Sequence, residues 1–342
     1  MQAPEGRVGA VAIGRNEGAR LKACLRSARR DASVVVYVDS GSTDGSVALA
    51  RELGAQAVEL DLSRPFTAAR ARNAGFRALC AAAPEVGFVQ FVDGDCELRE
   101  GWVAAAREFL EAHPDHAVVC GRRRERHPEA SLWNRLCDRE WDTPVGEAKY
   151  CGGDSLMRVA ALEAVGGWRD DLIAGEEPEL CVRLRAAGWR VARLDREMTW
   201  HDAAMTRFGQ WWRRTVRGGH AYAEGAWLHG RGPERHWVRE TARALLWGAG
   251  LPAVALAGAV LVHPAALALL LAWPLQAARL ALRDGGGREA WMRGALLTLA
   301  KLAEARGALR FLAGRLTGRR SGLIEYRNPT SRNSLRDRER RG

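Results

Sequence analysis

Residues 8–13 (VGAVAI), 34–38 (VVVYV) and 88–92 (FVQFV) are apolar runs of strand length, interrupted only by Gln90 and without the polar alternation of a half-exposed strand. Such runs suit strands buried on both faces. Stretches of helical spacing separate them. In residues 20–29, Leu21, Cys24, Leu25 and Ala28 share one helix face; residues 46–53 and 67–82 read as further helices, with a third strand at 57–60. Strand and helix in alternation predict an α/β fold with a mostly parallel sheet flanked by helices. Ligands of such sheets bind beyond the carboxyl ends of the strands. There the chain places Arg15, Asn16 and Glu17, then Asp39, then Asp93 with Asp95. The alternation continues with helix 101–112, strand 117–120, helices 160–165 and 178–187, and a last strand at 191–194 before Trp200 and His201.

Two carboxylates at one strand tip repel each other unless a cation or a polar ligand lies between them. Asp93-Gly94-Asp95 is a turn in which both acids can share a hard divalent cation, and such a cation takes up charge on a diphosphate. Asp39 suits a hydrogen bond to a base or ribose, and equally an Asx-turn within SGSTDGS. Arg70, Arg72 and Asn73 near a helix start suit phosphate or ribose contact; a solvated helix face fits them as well. Glu176 and Glu177 lead a helix after Gly175. There a carboxylate serves either as a general base for a hydroxyl or as favourable charge at a helix N-terminus. His201 can offer imidazole to the cation of Asp95. Trp200, Trp211 and Trp212 suit stacking on a sugar or base, or plain packing.

Residues 244–278 contain no Asp, Glu, Lys or Arg and are interrupted by His263-Pro264. As one straight helix they would reach roughly 50 Å, beyond the ~30 Å of a bilayer core. Two full spans of about 20 residues each would need slightly more. A tight helical hairpin turning at His263-Pro264 fits, crossing thinly or re-entering, with a buried helix pair of a soluble domain as the alternative. Arg239 and Arg243 before it, and Arg279 and Arg283 after it, put both ends on the cytoplasmic side. Residues 289–316 form a long helix, amphipathic in its first half, either interfacial or packed on the body.

The net charge of +11 is uneven: residues 279–342 hold 16 Lys+Arg and 6 Asp+Glu, so +10 of the +11 lies there. A near-neutral body with a basic tail speaks against nucleic acid as a partner and for an anionic membrane surface. The last dozen residues (SRNSLRDRERRG) read as a solvated tail. The seven cysteines form no CxxC pair, so a reducing compartment is expected. The opening MQAPEGRVGAVAIGRNE lacks the pattern of a secretory leader. The expected domains are a catalytic part at 1–225, with halves at 1–98 and 99–225, and a membrane-associated helical part at 226–342.

Over residues 7–215 the order of elements and motifs resembles the inverting nucleotide-sugar glycosyltransferases of family 2, which have the GT-A fold. The first strand with "GRNE" looks like the family's first nucleotide-binding segment, which implies contacts from Ile13, Arg15 and Glu17. "VDSGSTDGS" resembles the second, whose leading acid, here Asp39, binds the base. "ARARNAGF" points to Arg72 and Asn73, and "VDGDCE" is similar to the DxD motif. The resemblance implies Asp93 and Gly94 on the nucleotide side and Asp95 on the metal, Mn2+ or Mg2+, with His201 as the late metal-binding histidine. "AGEEPELCVRLRAAGWRV" resembles the Gly-Glu-Asp block; its second acid, the catalytic base, maps to Glu177 beside Glu176. Glu stands there in place of the commoner Asp. "QWWRR" only partly resembles the QxxRW box of processive synthases, and the hydrophobic tail is shorter than theirs, so transfer of a single sugar is expected. Asp154, Trp211, Trp212 and Arg213 are acceptor-side candidates.

The expected function is therefore transfer of one sugar from a nucleotide-diphosphate sugar, UDP-sugar favoured, to a lipid-linked or surface-glycan hydroxyl. The expected place is the cytoplasmic side of the inner membrane, in polysaccharide biosynthesis. Two rivals stand beside it: a nucleotidyltransferase of related fold, which would release pyrophosphate, and a non-catalytic membrane-tethered assembly protein, which would bind no nucleotide sugar.

Overall fold

The computed structural model of the chain describes residues 6–318 and Gly322. The solvated tail expected at 331–342 lies outside the described residues, as do Arg319, Arg320 and the basic residues from Arg327 onward.

The chain forms two compact units. The first takes residues up to Glu129 together with Asn134–Ala203; the second takes Ala130–Trp133 and the described residues from Ala204 on. The division falls inside the stretch assigned to the catalytic part from sequence, because helix Phe208–His229 packs along helix Arg288–Leu316.

The first unit is built on one sheet of nine strands: β1 (Val8–Gly14), β2 (Val34–Asp39), β3 (Gln56–Glu59), β4 (Phe88–Asp93), β5 (Cys96–Leu98), β6 (His116–Glu125), β7 (Gly146–Glu147), β8 (Ser155–Arg158) and β9 (Arg190–His201). Their order is β3-β2-β1-β4-β8-β6-β9-β5, with β7 on β9. The first half is parallel, as the alternation of apolar runs and helices predicts: β1 pairs with β2 and β4, and β2 with β3. Beyond β4 the sheet is mixed. There β8 runs antiparallel to β4 and β6, while β6 and β9 are parallel.

Ala10, Val11, Val36, Val38, Val89 and Phe91 are wholly buried because helices cover both faces of the sheet. A large apolar side chain buried in this way contributes about 1.5–3 kcal/mol. Helix Ala19–Asp31 turns in Leu21, Cys24, Leu25 and Ala28, the face expected from their spacing. Two strands are longer than their apolar runs. β6 continues from its buried start through Arg122–Glu125, and β9 continues through Asp195 to His201. Pairing between them carries the polar residues along, so the strand period, not hydrophobicity, sets these ends.

The second unit is helical. Phe208–His229 is followed by Val238–Leu245, a π turn at Leu246–Gly250 and Leu251–Leu261; after His263 come a 3-10 segment, Pro264–Leu271, and helices Ala272–Arg283 and Arg288–Leu316. The chain thus turns at His263-Pro264, as expected. All seven cysteines are free thiols.

Candidate active site

Register brings the acids together. β1 places Ile13 opposite Asp93, and the Gly94 N–H donates to the Ile13 carbonyl at 2.7 Å, which shapes the Asp93-Gly94-Asp95 turn. β5 pairs Cys96 with His201, and β6 pairs Glu125 with the same His201. The imidazole therefore lies between Asp95, just before β5, and Glu125 at the end of β6. His201 Nε2 is 3.2 Å from Asp95 Oδ2, and Nδ1 is 3.6 Å from Glu125 Oε2. Burial pushes the pKa of His201 down, which favours the neutral imidazole that a metal ligand must be.

These residues fit a divalent cation. Two adjacent ligands of an octahedral ion at about 2.1 Å stand roughly 3.0 Å apart, close to the observed His201–Asp95 separation. Cys96 lies within reach of the same point, and burial pushes its thiol well up, which disfavours the thiolate. Asp93 belongs to another cluster. Its Oδ1 accepts from Arg72 Nη2 at 2.8 Å and its Oδ2 faces Arg123 Nη2 at 3.5 Å.

Arg72 is the centre of that cluster. Helix Ala68–Ala82 delivers its guanidinium, which is buried, to three carboxylates from two separate parts of the chain. Besides Asp93, Nη1 lies 2.6 Å from Glu177 Oε1 and 3.2 Å from Glu176 Oε1. Gly153 leaves room for this: a Cβ there would stand 2.5 Å from Arg72 Nη2 and 2.8 Å from Asp93 Oδ2. The two glutamates open helix Glu176–Ala186, whose N-terminal dipole favours them. The Glu177 side chain is 12% exposed against 6% for Glu176, so Glu177 is the more reachable. Burial pushes the Glu177 pKa up to about 7; Arg72 opposes that rise, while Glu176 and Asp93 add to it.

Asp154 is wholly buried. It accepts from the Asp93 N–H at 2.9 Å and from Thr199 Oγ1 at 2.8 Å, and it pairs with Arg123 at 2.9 Å. It braces the turn. Asn73 is similarly engaged: its amide bonds the backbone of Trp168 and Asp170 Oδ1 at 2.7 Å. Asp39 accepts from Tyr37 and from the N–H groups of Gly41 and Ser42, the turn arrangement. Arg15 is exposed, and Glu17 pairs with Arg20 at 2.8 Å. Trp211, Trp212 and Arg213 belong to the second unit, where Trp211 stacks on Trp133.

Sequence reasoning missed Arg123, Glu125 and Trp141, whose ring meets His201 edge-on at 4.7 Å. A signal for the first two exists. Once strand 117–120 is extended at period two through RRRE, Arg123 and Glu125 share a face. Glu125 is held by Asn134 Nδ2 and by the N–H groups of His127 and Ala203.

Residues 11–163 match the family model described as glycosyl transferase family 2. This stretch, somewhat under half of the chain, is similar to that family. The matched segment carries Asp39, Arg72, Asp93, Asp95, Arg123, Glu125 and Asp154; Glu176, Glu177 and His201 follow it within the same unit. No curated protein matches the chain. Among solved structures, a mannosyltransferase from Pyrobaculum calidifontis in complex with GDP-Man and Mn2+ is 21% identical, with a TM-score of 0.59 over 90% of this chain and 88% of that one. Glucosyl-3-phosphoglycerate synthase from Mycobacterium tuberculosis, in complex with phosphoglyceric acid, is 18% identical, with a TM-score of 0.46 over 65% of this chain and 79% of that one. The first likeness is one of fold, and that fold is GT-A.

Proposed function

We propose that this chain is a family 2 glycosyltransferase that moves one sugar, with inversion, from a nucleoside-diphosphate sugar to a hydroxyl acceptor, with Glu177 as the base. The observation that carries the reading is the Arg72 bridge, which joins Asp93 of the DxD turn to Glu177 at 2.8 and 2.6 Å. Glu177, with a pKa of about 7, takes the acceptor proton. The hydroxyl oxygen attacks the anomeric carbon as the bond from that carbon to the diphosphate oxygen breaks, and the nucleoside diphosphate leaves with the electron pair. Asp95 and His201 would hold Mn2+ or Mg2+, which supplies positive charge for the diphosphate. The GDP-Man and Mn2+ of the Pyrobaculum calidifontis neighbour support a donor and metal of these classes, so GDP-sugars belong in a screen beside the favoured UDP-sugars.

The second unit supports work at a membrane. Val238–Leu261 and Pro264–Arg283 are long and apolar enough to cross one, and only 11% and 6% of their apolar windows are buried. Arg239, Arg243, Arg279 and Arg283 at their ends favour the cytoplasmic face. A lipid-linked or surface-glycan acceptor fits that place.

The test is turnover of UDP-, GDP- and dTDP-sugars with Mn2+, after a thermal-shift screen in which a donor raises the melting temperature. Release of nucleoside diphosphate is expected from the native chain and none from Asp95→Ala. Full activity in that variant, or release of pyrophosphate, overturns the proposal.

A further inference from the structure

How far the apolar hairpin enters a bilayer follows from its own anatomy. Resting on the membrane reading above, we propose that the hairpin crosses the whole hydrocarbon layer and delivers His263 to the opposite interface. His263 stands twenty positions beyond Arg243. As helix they rise about 30 Å, the thickness of the layer. The return from Pro264 to Arg279 begins with a 3-10 segment of greater rise and covers about 26 Å. Both arms therefore match the layer.

Polarity follows the same axis. Between Arg243 and Arg279 the one ionisable side chain is His263, at the turn. Trp247 and Trp273 lie near the basic ends, and Trp273 Nε1 donates to the Trp247 carbonyl at 3.1 Å, joining the arms. Aromatic residues at that height are those of a membrane interface. Val260, Leu261 and Val262, just before the turn, are 84%, 81% and 85% exposed. Inside the second unit the pattern is reversed: from Ala221 onward the buried hydrophobic side chains among the described residues are ten alanines and Phe311. Large apolar groups outside and small ones inside suit a hydrocarbon solvent, where helices associate by close approach.

A hairpin stopping half-way would strand His263 and the open backbone groups of the turn in hydrocarbon, where unsatisfied polar groups are strongly disfavoured. A full crossing places both in water or headgroups. The His263 imidazole already accepts from the Ala265 N–H at 3.2 Å, which caps the returning segment.

The full chain is reconstituted into sealed phosphatidylcholine–phosphatidylglycerol vesicles, with the first unit outside as judged by its protease sensitivity. His263→Cys, and Ala265→Cys in case the turn depends on the imidazole, are treated with an impermeant maleimide and compared with the parent chain. The expected result is no added labelling from outside and full labelling once reagent reaches the lumen, while Arg283→Cys labels from outside. Tip labelling from outside, or from neither side, overturns the crossing. Loss of the chain from vesicles on flotation, or protection of the hairpin by a second copy, overturns the membrane reading itself and leaves donor turnover to be judged separately.

Discussion

Without its guanidinium, Arg72 would leave Asp93, Glu176 and Glu177 facing one another with no shared cation. The same geometry sets the ionisation of the proposed base. Burial raises Glu177 to about 7, and Arg72 holds it below where burial alone would put it. A general base works deprotonated, so kcat/KM should fall as pH drops below about 7. Arg72→Gln removes the opposing charge and should move that limb to higher pH. Glu177→Gln should lower kcat by about 10²–10⁴-fold, with donor binding retained. A pH–rate profile measured for all three proteins decides the assignment. A fall in amplitude without a shift in Arg72→Gln would reduce Arg72 to a packing role.

Among the strands, the register of β5, β9 and β6 decides what His201 meets. Slipping β9 by one residue would turn His201 to the other face of the sheet. Glu125 backs the imidazole nitrogen remote from Asp95, an arrangement that orients metal-binding histidines. Glu125→Gln should therefore weaken Mn2+ binding by about 10–100-fold, measured by calorimetry or electron spin resonance. Unchanged affinity would show that β-sheet pairing alone orients the ring. His201 was legible from its place after the last expected strand and from the family resemblance, and Glu125 was not. Its partner lies far along the chain, and no local spacing encodes that pairing.

Taken over the entire chain, the proposed membrane attachment would rest on two forces: the burial of the hairpin and the attraction of the basic C-terminal stretch to anionic lipid. The second is worth about 1 kcal/mol per basic residue near the surface and is screened by salt. Vesicle flotation should therefore show the full chain remaining on neutral vesicles at high salt, with an added salt-sensitive component on anionic ones. Release from both kinds of vesicle by salt alone would assign attachment to charge and remove the hairpin from it.

The alternating strands, the acids at their carboxyl ends and the apolar hairpin could all be read from the order of residues, because each rests on periodicity and composition within a short window. The basic charge and the family likeness likewise came from residues close together in the chain. Folding alone revealed that Arg72 joins the DxD turn to the glutamates, that Asp154 and Asn73 serve as braces, and that Glu125 stands behind His201. Those pairings depend on how strands far apart in sequence align. Ion pairs are strong only at short range in a buried setting, so an ångström of register decides them.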